Sequence, residues 1–142
     1  YTLVLAGVGQ YNLPEYSDMS FGRCVIIEYI SNDDIASLYG NAQLFVFPSL
    51  YEGFGFPPLE AMAANCPVIS SNASCMPEIL GDACVYFNPT DIYEMSNVMA
   101  QVLCDASLKN KLKEKGLVRI KKYAPVKVAQ NIINVMTLMM KN

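Results

Sequence analysis

Short apolar runs alternate with amphipathic stretches along the chain, and turn residues separate the two. Residues 2–6, 24–28, 43–47, 67–70 and 83–87 are the apolar runs. Runs that are apolar on both sides suit strands buried on both faces, as in a parallel sheet. The spacing between them predicts helices. Ser31 and Asp34 stand at capping-box spacing ahead of Ile35-Ala36-Ser37-Leu38-Tyr39, and Gly40 is a natural stop. A second helix contains Leu59-Glu60-Ala61-Met62-Ala63-Ala64 and ends at Asn65, and a short one over 76–80 is closed by Gly81. Asp91 or Thr90 caps a long helix with an apolar stripe of Ile92, Met95, Val98, Met99 and Val102. Asp105 starts another that runs through Gly116 toward Lys122, and Pro125 opens a last one reaching Met140.

Strands alternating with helices across short turns predict an α/β fold: a Rossmann-like parallel sheet of about five or six strands with helices on both faces. We expect residues 1–142 to form a single domain, since 142 residues at 53% apolar content can bury a sizeable core. No apolar run reaches the roughly 18 residues of a membrane span. The start has no basic region ahead of its apolar run, unlike a secretory signal, and lacks an initiator Met, which suits a start inside a longer protein.

Charge and cysteine usage narrow the chemistry. A net charge of −3 argues against a nucleic-acid surface, which needs clustered cations. The basic residues from Lys109 to Lys122 are interrupted by Leu112, Leu117 and Ile120, as on the wet face of an amphipathic helix. The chain has no histidine, and its five cysteines, at 24, 66, 75, 84 and 104, form no Cys-x-x-Cys pair. That composition speaks against a zinc site and against histidine acid–base catalysis. An odd number of thiols in apolar settings leads us to expect reduced, buried cysteines and a cytoplasmic location.

The candidate chemistry lies in Pro48-Ser49-Leu50-Tyr51-Glu52-Gly53-Phe54-Gly55-Phe56-Pro57-Pro58-Leu59-Glu60. Glu52 and Glu60 stand eight positions apart across a Gly-Phe-Gly turn and a Pro-Pro pair. With Pro57 or Pro58 at the first helical position, Glu60 falls in or near the first turn and Glu52 on the loop before it. Gly53 and Gly55 let the backbone approach a ligand, and carboxylates accept strongly from vicinal hydroxyls, at roughly 1.5–3 kcal/mol per charge-assisted bond. The plainer account has Glu60 complementing the helix dipole, worth about 0.3–1 kcal/mol, and Glu52 as a solvated loop residue. Against it, no Ser or Thr stands three residues before Glu60 to form a capping box.

This stretch resembles the Glu-x7-Glu motif of retaining, nucleotide-sugar-dependent glycosyltransferases of the GT-B fold, in the large family 4. The likeness continues through 61–83 and takes in Tyr29-Ile30-Ser31-Asn32-Asp33-Asp34-Ile35 and Phe47-Pro48-Ser49. It implies the C-terminal, donor-binding half of such an enzyme. Glu60 would hold the ribose of the donor nucleotide, and Tyr29 and Ile30 would lie over its base. Gly7 and Gly9 would lie near the diphosphate. Glu52, at the catalytic centre, would hold the transferred sugar together with the backbone of Gly53, Phe54 and Gly55. The resemblance implies no metal and no cofactor beyond the nucleotide-sugar, such as a UDP- or GDP-sugar. It also implies an N-terminal acceptor-binding domain outside this chain, so that the chain alone would be inactive, with no membrane contact indicated in this half.

Two other readings start from the same residues. Gly7-Val8-Gly9 after the first strand, with Glu28 about 20 residues on, suits an NAD-binding unit, although Asn12 stands where its fingerprint needs Gly or Ala. The domain could also bind a nucleotide or sugar without catalysing anything. Neither base, sugar nor acceptor is legible in the side chains.

Overall fold

The computed structural model describes residues 1–7 and 23–140. Gly9 and Asn12 lie outside the described residues. The chain forms two compact units, Tyr1–Ser37 and Leu38–Asn142.

In the first unit, β1 (Thr2–Ala6) and β2 (Arg23–Ile27) pair in parallel, from Thr2 opposite Arg23 to Ala6 opposite Ile27. Gly7 extends the ladder by donating its N–H to the Ile27 carbonyl at 2.9 Å, and its φ of +75° is one that glycine adopts without strain. Helix α1 (Asn32–Asn41) begins in this unit and ends in the second. Ser31 caps it: its hydroxyl accepts from the Asp34 N–H at 3.2 Å and donates to the Asp34 carboxylate at 2.6 Å. The helix does not stop at Gly40, which stays helical, but runs one residue further.

The second unit holds a parallel sheet in the order β3 (Phe45–Phe47), β4 (Val68–Ser71), β5 (Val85–Phe87). The expected sheet of five or six strands is thus five described strands in a pair and a triplet. Pairing is local: each ladder joins strands consecutive in the chain, and the segment carrying α1 spans the boundary between units.

Register explains how both faces of the triplet are covered. Val46, Ile69 and Val85 lie side by side and, with Phe87, pack against Val102 of α4 (Ile92–Cys104) and Leu112 of α5 (Ala106–Ile120). On the opposite face Phe45 stacks on Phe47 at 6.1 Å and meets the edge of Tyr39 from α1 at 5.1 Å. Asp91 caps α4 by accepting from the Tyr93 and Glu94 N–H groups, and Asp105 caps α5 by accepting from Leu108, each cap worth about 1 kcal/mol. Thr90 instead bonds Asn88. Ile92, expected in the apolar stripe, is exposed, as is the rest of the first turn of α4.

Helix α2 (Phe56–Ala63) ends in a Schellman motif. Asn65 takes a φ of +60°, its N–H reaches the Met62 carbonyl, and Cys66 N–H reaches that of Ala61. Close packing of α2 on α5 depends on Gly116, where a Cβ would stand 3.0 Å from Met62 Cγ. The basic face of α5 is not wholly wet. Arg119 donates to the Ile79 carbonyl at 2.7 Å and to that of Glu78, satisfying carbonyls at the end of α3 (Met76–Leu80). Lys115 pairs with Asp82 at 2.6 Å and holds that carboxyl below its usual range. The last helix, α6 (Pro125–Met139), leaves Ile132, Val135, Met136 and Met139 exposed. Among the described residues no helix is long and apolar enough to cross a membrane.

All five cysteines are free. Cys66 and Cys84 are buried as expected, whereas Cys24 and Cys75 are half-buried and Cys104, near the end of α4, is exposed. Burial pushes the Cys66 thiol up to about 11 and the Cys84 thiol up to about 12, from 9.0. The unfolded chain therefore ionises first. Stability from these two thiols is intact below about pH 9 and is lost as pH rises toward 11 to 12, at about 1.4 kcal/mol per pH unit for each thiol. Urea titrations from pH 8 to 11 should show that fall, and Cys66→Ala or Cys84→Ala should flatten it. A slope that is the same in both variants as in the parent would contradict this account.

Candidate functional site

The turn after β3 and the turn after β4 are adjacent because parallel neighbours end on the same edge of the sheet. Ligands of such sheets bind beyond the carboxyl ends of the strands. Two serine hydroxyls join the two turns, and a third braces the first turn from within. Ser71, the buried last residue of β4, donates to the Ser49 carbonyl at 2.6 Å. Ser74, at φ +56°, donates to the Glu52 carbonyl at 2.9 Å and accepts from the Glu52 N–H at 3.3 Å. Ser49 lies 2.9 Å from Glu52 Oε1 and 3.2 Å from the Tyr51 carbonyl. Its single proton favours the shorter, charge-assisted contact. The Cys75 thiol faces the carbonyls of Glu52 and Phe54, at 3.3 and 3.5 Å.

Glu52 is thus half-buried, held at both backbone groups and at one carboxylate oxygen. Oε2 has no hydrogen bond among the described residues. Gly53 is exposed with open space around its Cα, and Phe54 packs on Phe56 at 4.8 Å and against the edge of Tyr123 at 5.4 Å. Tyr123 is itself fixed by donating to the Ile79 carbonyl at 3.0 Å. Gly55 precedes α2 at φ +92°, packed so tightly that a Cβ would come within 2.4 Å of Met76 Cε.

Helix α2 starts at Phe56, one residue before Pro57 and two before Pro58, because Gly55 turns the chain into the helix. Pro57 and Pro58 fill the next two positions, where no intrahelical bond is lost. Glu60 therefore sits at the start of the second turn and not in the first, which weakens the account of it as a dipole partner. Its side chain is exposed and has no ion pair or hydrogen bond among the described residues. Its charge reaches α1, since burial and then the Glu60 carboxylate push the Tyr39 phenol up.

Gly7, Tyr29 and Ile30 belong to the first unit. Gly7 directly follows β1, Tyr29 is exposed, and Ile30 is half-buried just ahead of the cap of α1. Glu28 follows β2 and is exposed. Among the described residues no group of His, Cys, Asp and Glu could hold a metal ion. A hollow of about 350 Å³ elsewhere, lined by Asp82, Glu114, Lys115, Val118, Arg119 and Lys122, contains none of the candidate residues. Sequence reasoning missed Ser49, Ser74 and Cys75 as supports of the loop. Ser74 and Cys75 reach across from the neighbouring turn, which no spacing rule exposes, whereas Ser49 and Glu52 stand at Ser-x-x-Glu spacing, a signal the chain does carry.

Comparison with known proteins bears on the same segments. The sequence profile described as Glycosyl transferases group 1 matches residues 2–119. The chain is 34% identical over 130 residues to the serotype-specific mannosyltransferase WbdA of Escherichia coli, covering 92% of this chain and 16% of that protein. It is 37% identical over 111 residues to the O-antigen chain mannosyltransferase B of Escherichia coli, covering 78% of this chain and 29% of that one. The crystal structure of HepE from Anabaena in complex with UDP superposes with a TM-score of 0.74 at 19% identity, covering 81% of this chain and 32% of that one. The chain thus spans less than a third of the length of these relatives.

Proposed function

The chain belongs to the glycosyl transferases group 1 family, and from that premise we propose that it is the donor-binding part of a retaining hexosyltransferase of family 4. The observation that carries the reading is the placing of the two acids. Glu52 is held at the carboxyl edge of the sheet with one oxygen unengaged, and Glu60 is exposed on the helix that follows. In this reading Glu60 binds the ribose hydroxyls of a nucleoside diphosphate, and Glu52 binds hydroxyls of the transferred sugar beside Gly53, Phe54 and Gly55. Tyr29 and Ile30 lie over the base, and Gly7 and Gly9 line the diphosphate.

The acceptor hydroxyl bonds to the anomeric carbon on the face from which the nucleoside diphosphate leaves, its proton passing to the departing phosphate oxygen as the sugar–phosphate bond breaks, with retention and without Glu52 acting as a nucleophile. Helix N-termini and basic side chains neutralise the departing diphosphate, so the reaction requires no metal. Both mannosyltransferase relatives favour a mannosyl donor, and the UDP in the Anabaena neighbour supports nucleotide binding by this architecture. The acceptor is bound by a further domain of the intact protein, and the exposed apolar side of α6 fits contact with it. Free thiols agree with a cytoplasmic location.

Calorimetric titration of the chain with UDP, GDP, ADP and their sugar forms tests this. One nucleoside diphosphate should bind, its sugar form more tightly, and the chain alone should transfer no sugar. Failure to bind any of the three removes the donor role. Product formation by the chain alone removes the division of labour. Exposed Glu28 just past β2 keeps an NAD-binding reading open, and fluorescence titration with NADH decides it.

A further inference from the structure

Glu52 stands on a loop, yet its position is defined by side chains that carry no charge. Ser71 holds the Ser49 carbonyl from a buried strand end, and Ser74 holds both backbone groups of Glu52 from the neighbouring turn. The backbone on either side of the Ser49–Glu52 contact is therefore fixed independently of that contact. What Ser49 Oγ adds, at 2.9 Å from Oε1, is the orientation of the carboxylate itself. A loop carboxylate free to rotate would sample several rotamers, and a ligand would have to order it on binding.

We propose that Ser49 is a positioning residue for Glu52: its hydroxyl occupies Oε1 and presents Oε2 to the sugar of the donor. The proposal rests on the reading of Glu52 as the sugar-binding acid. It separates Ser49 from the nucleotide subsite, because Glu60 lies on α2, beyond Gly55, and the Ser49 hydroxyl makes no hydrogen bond to that helix among the described residues. A substitution at Ser49 should therefore act on the sugar and spare the nucleotide.

The readout is the ratio of two dissociation constants, that of the nucleoside diphosphate over that of its sugar form. Both are measured by calorimetry on the 142-residue chain with GDP and GDP-mannose, and with UDP and UDP-glucose. Ser49→Ala should lower the ratio by about three- to tenfold, as expected for one weakened charge-assisted bond, while the nucleoside diphosphate binds as before. Ser49→Thr, which keeps the hydroxyl, should restore the ratio. Glu52→Gln should lower it at least as far.

An unchanged ratio in Ser49→Ala overturns the proposal. An equal loss of both ligands also overturns it, since that is the behaviour of a purely structural serine. If the parent chain binds nucleotide but its sugar form no more tightly, the sugar role of Glu52 fails and the positioning role with it. If the parent binds neither, the donor reading itself fails.

Discussion

Glu60→Ala is expected to weaken binding of the nucleoside diphosphate by about tenfold to more than a hundredfold, the loss of roughly 1.5–3 kcal/mol that follows when bonds from a carboxylate to ribose hydroxyls are removed. Little of that loss should come from misfolding. Glu60 is exposed within a helix whose ends are fixed elsewhere, by Gly55 at the start and by the Asn65 turn at the finish. Alanine is, moreover, the better helix former. Circular dichroism melts should be almost superimposable for the two proteins while calorimetry separates them. Equal affinities would mean that the acid merely decorates the helix surface, and the donor reading would lose its main support.

Gly55→Ala should act in the opposite way, through the fold first. The backbone at φ +92° costs an L-residue about 1–2 kcal/mol, and the added methyl would sit 2.4 Å from Met76 Cε. Met76 is fully buried, so its terminal methyl can move only by repacking its neighbours, and overpacking adds about 1–3 kcal/mol. A total of about 2–5 kcal/mol should be evident as a lower midpoint in urea, with the slope unchanged. Donor binding should weaken too, because the same glycine sets the angle between the loop and α2. A variant as stable as the parent would show that Met76 and the turn relax far more than tight packing of this kind permits.

The sequence was informative wherever a local rule decides the outcome. Asp91, Asp105, Ser31 and Asn65 announce helix ends because each cap is made within a few residues of itself. The strand pattern likewise announced parallel pairing, but burial on both faces holds for β4 and not for β1 and β2, where Leu3, Val4, Val25 and Ile26 are exposed. Helix α2 starts one residue before Pro57 and two before Pro58, because prolines mark a first turn without saying which position they fill, and Gly55 decides it through a positive φ. Ile92 satisfies the helical period but is exposed with the whole first turn of α4, a matter of tertiary packing that periodicity does not carry. Both acids were visible as a pair in the chain. Their supports were less so: Ser74 reaches Glu52 through contacts that exist only once β3 and β4 lie side by side, whereas Ser49 meets it locally, three residues away.

Tyr123 adds a practical corollary. Its ring meets Phe54, between the two glycines, yet it stands four residues past the stretch matched by the family profile. Trimming the polypeptide at the end of that profile match would retain every acid and glycine of the motif and discard the aromatic buttress behind it. Expression boundaries for binding work should accordingly be drawn from the contacts of the fold, beyond Tyr123, and not from the end of the family profile.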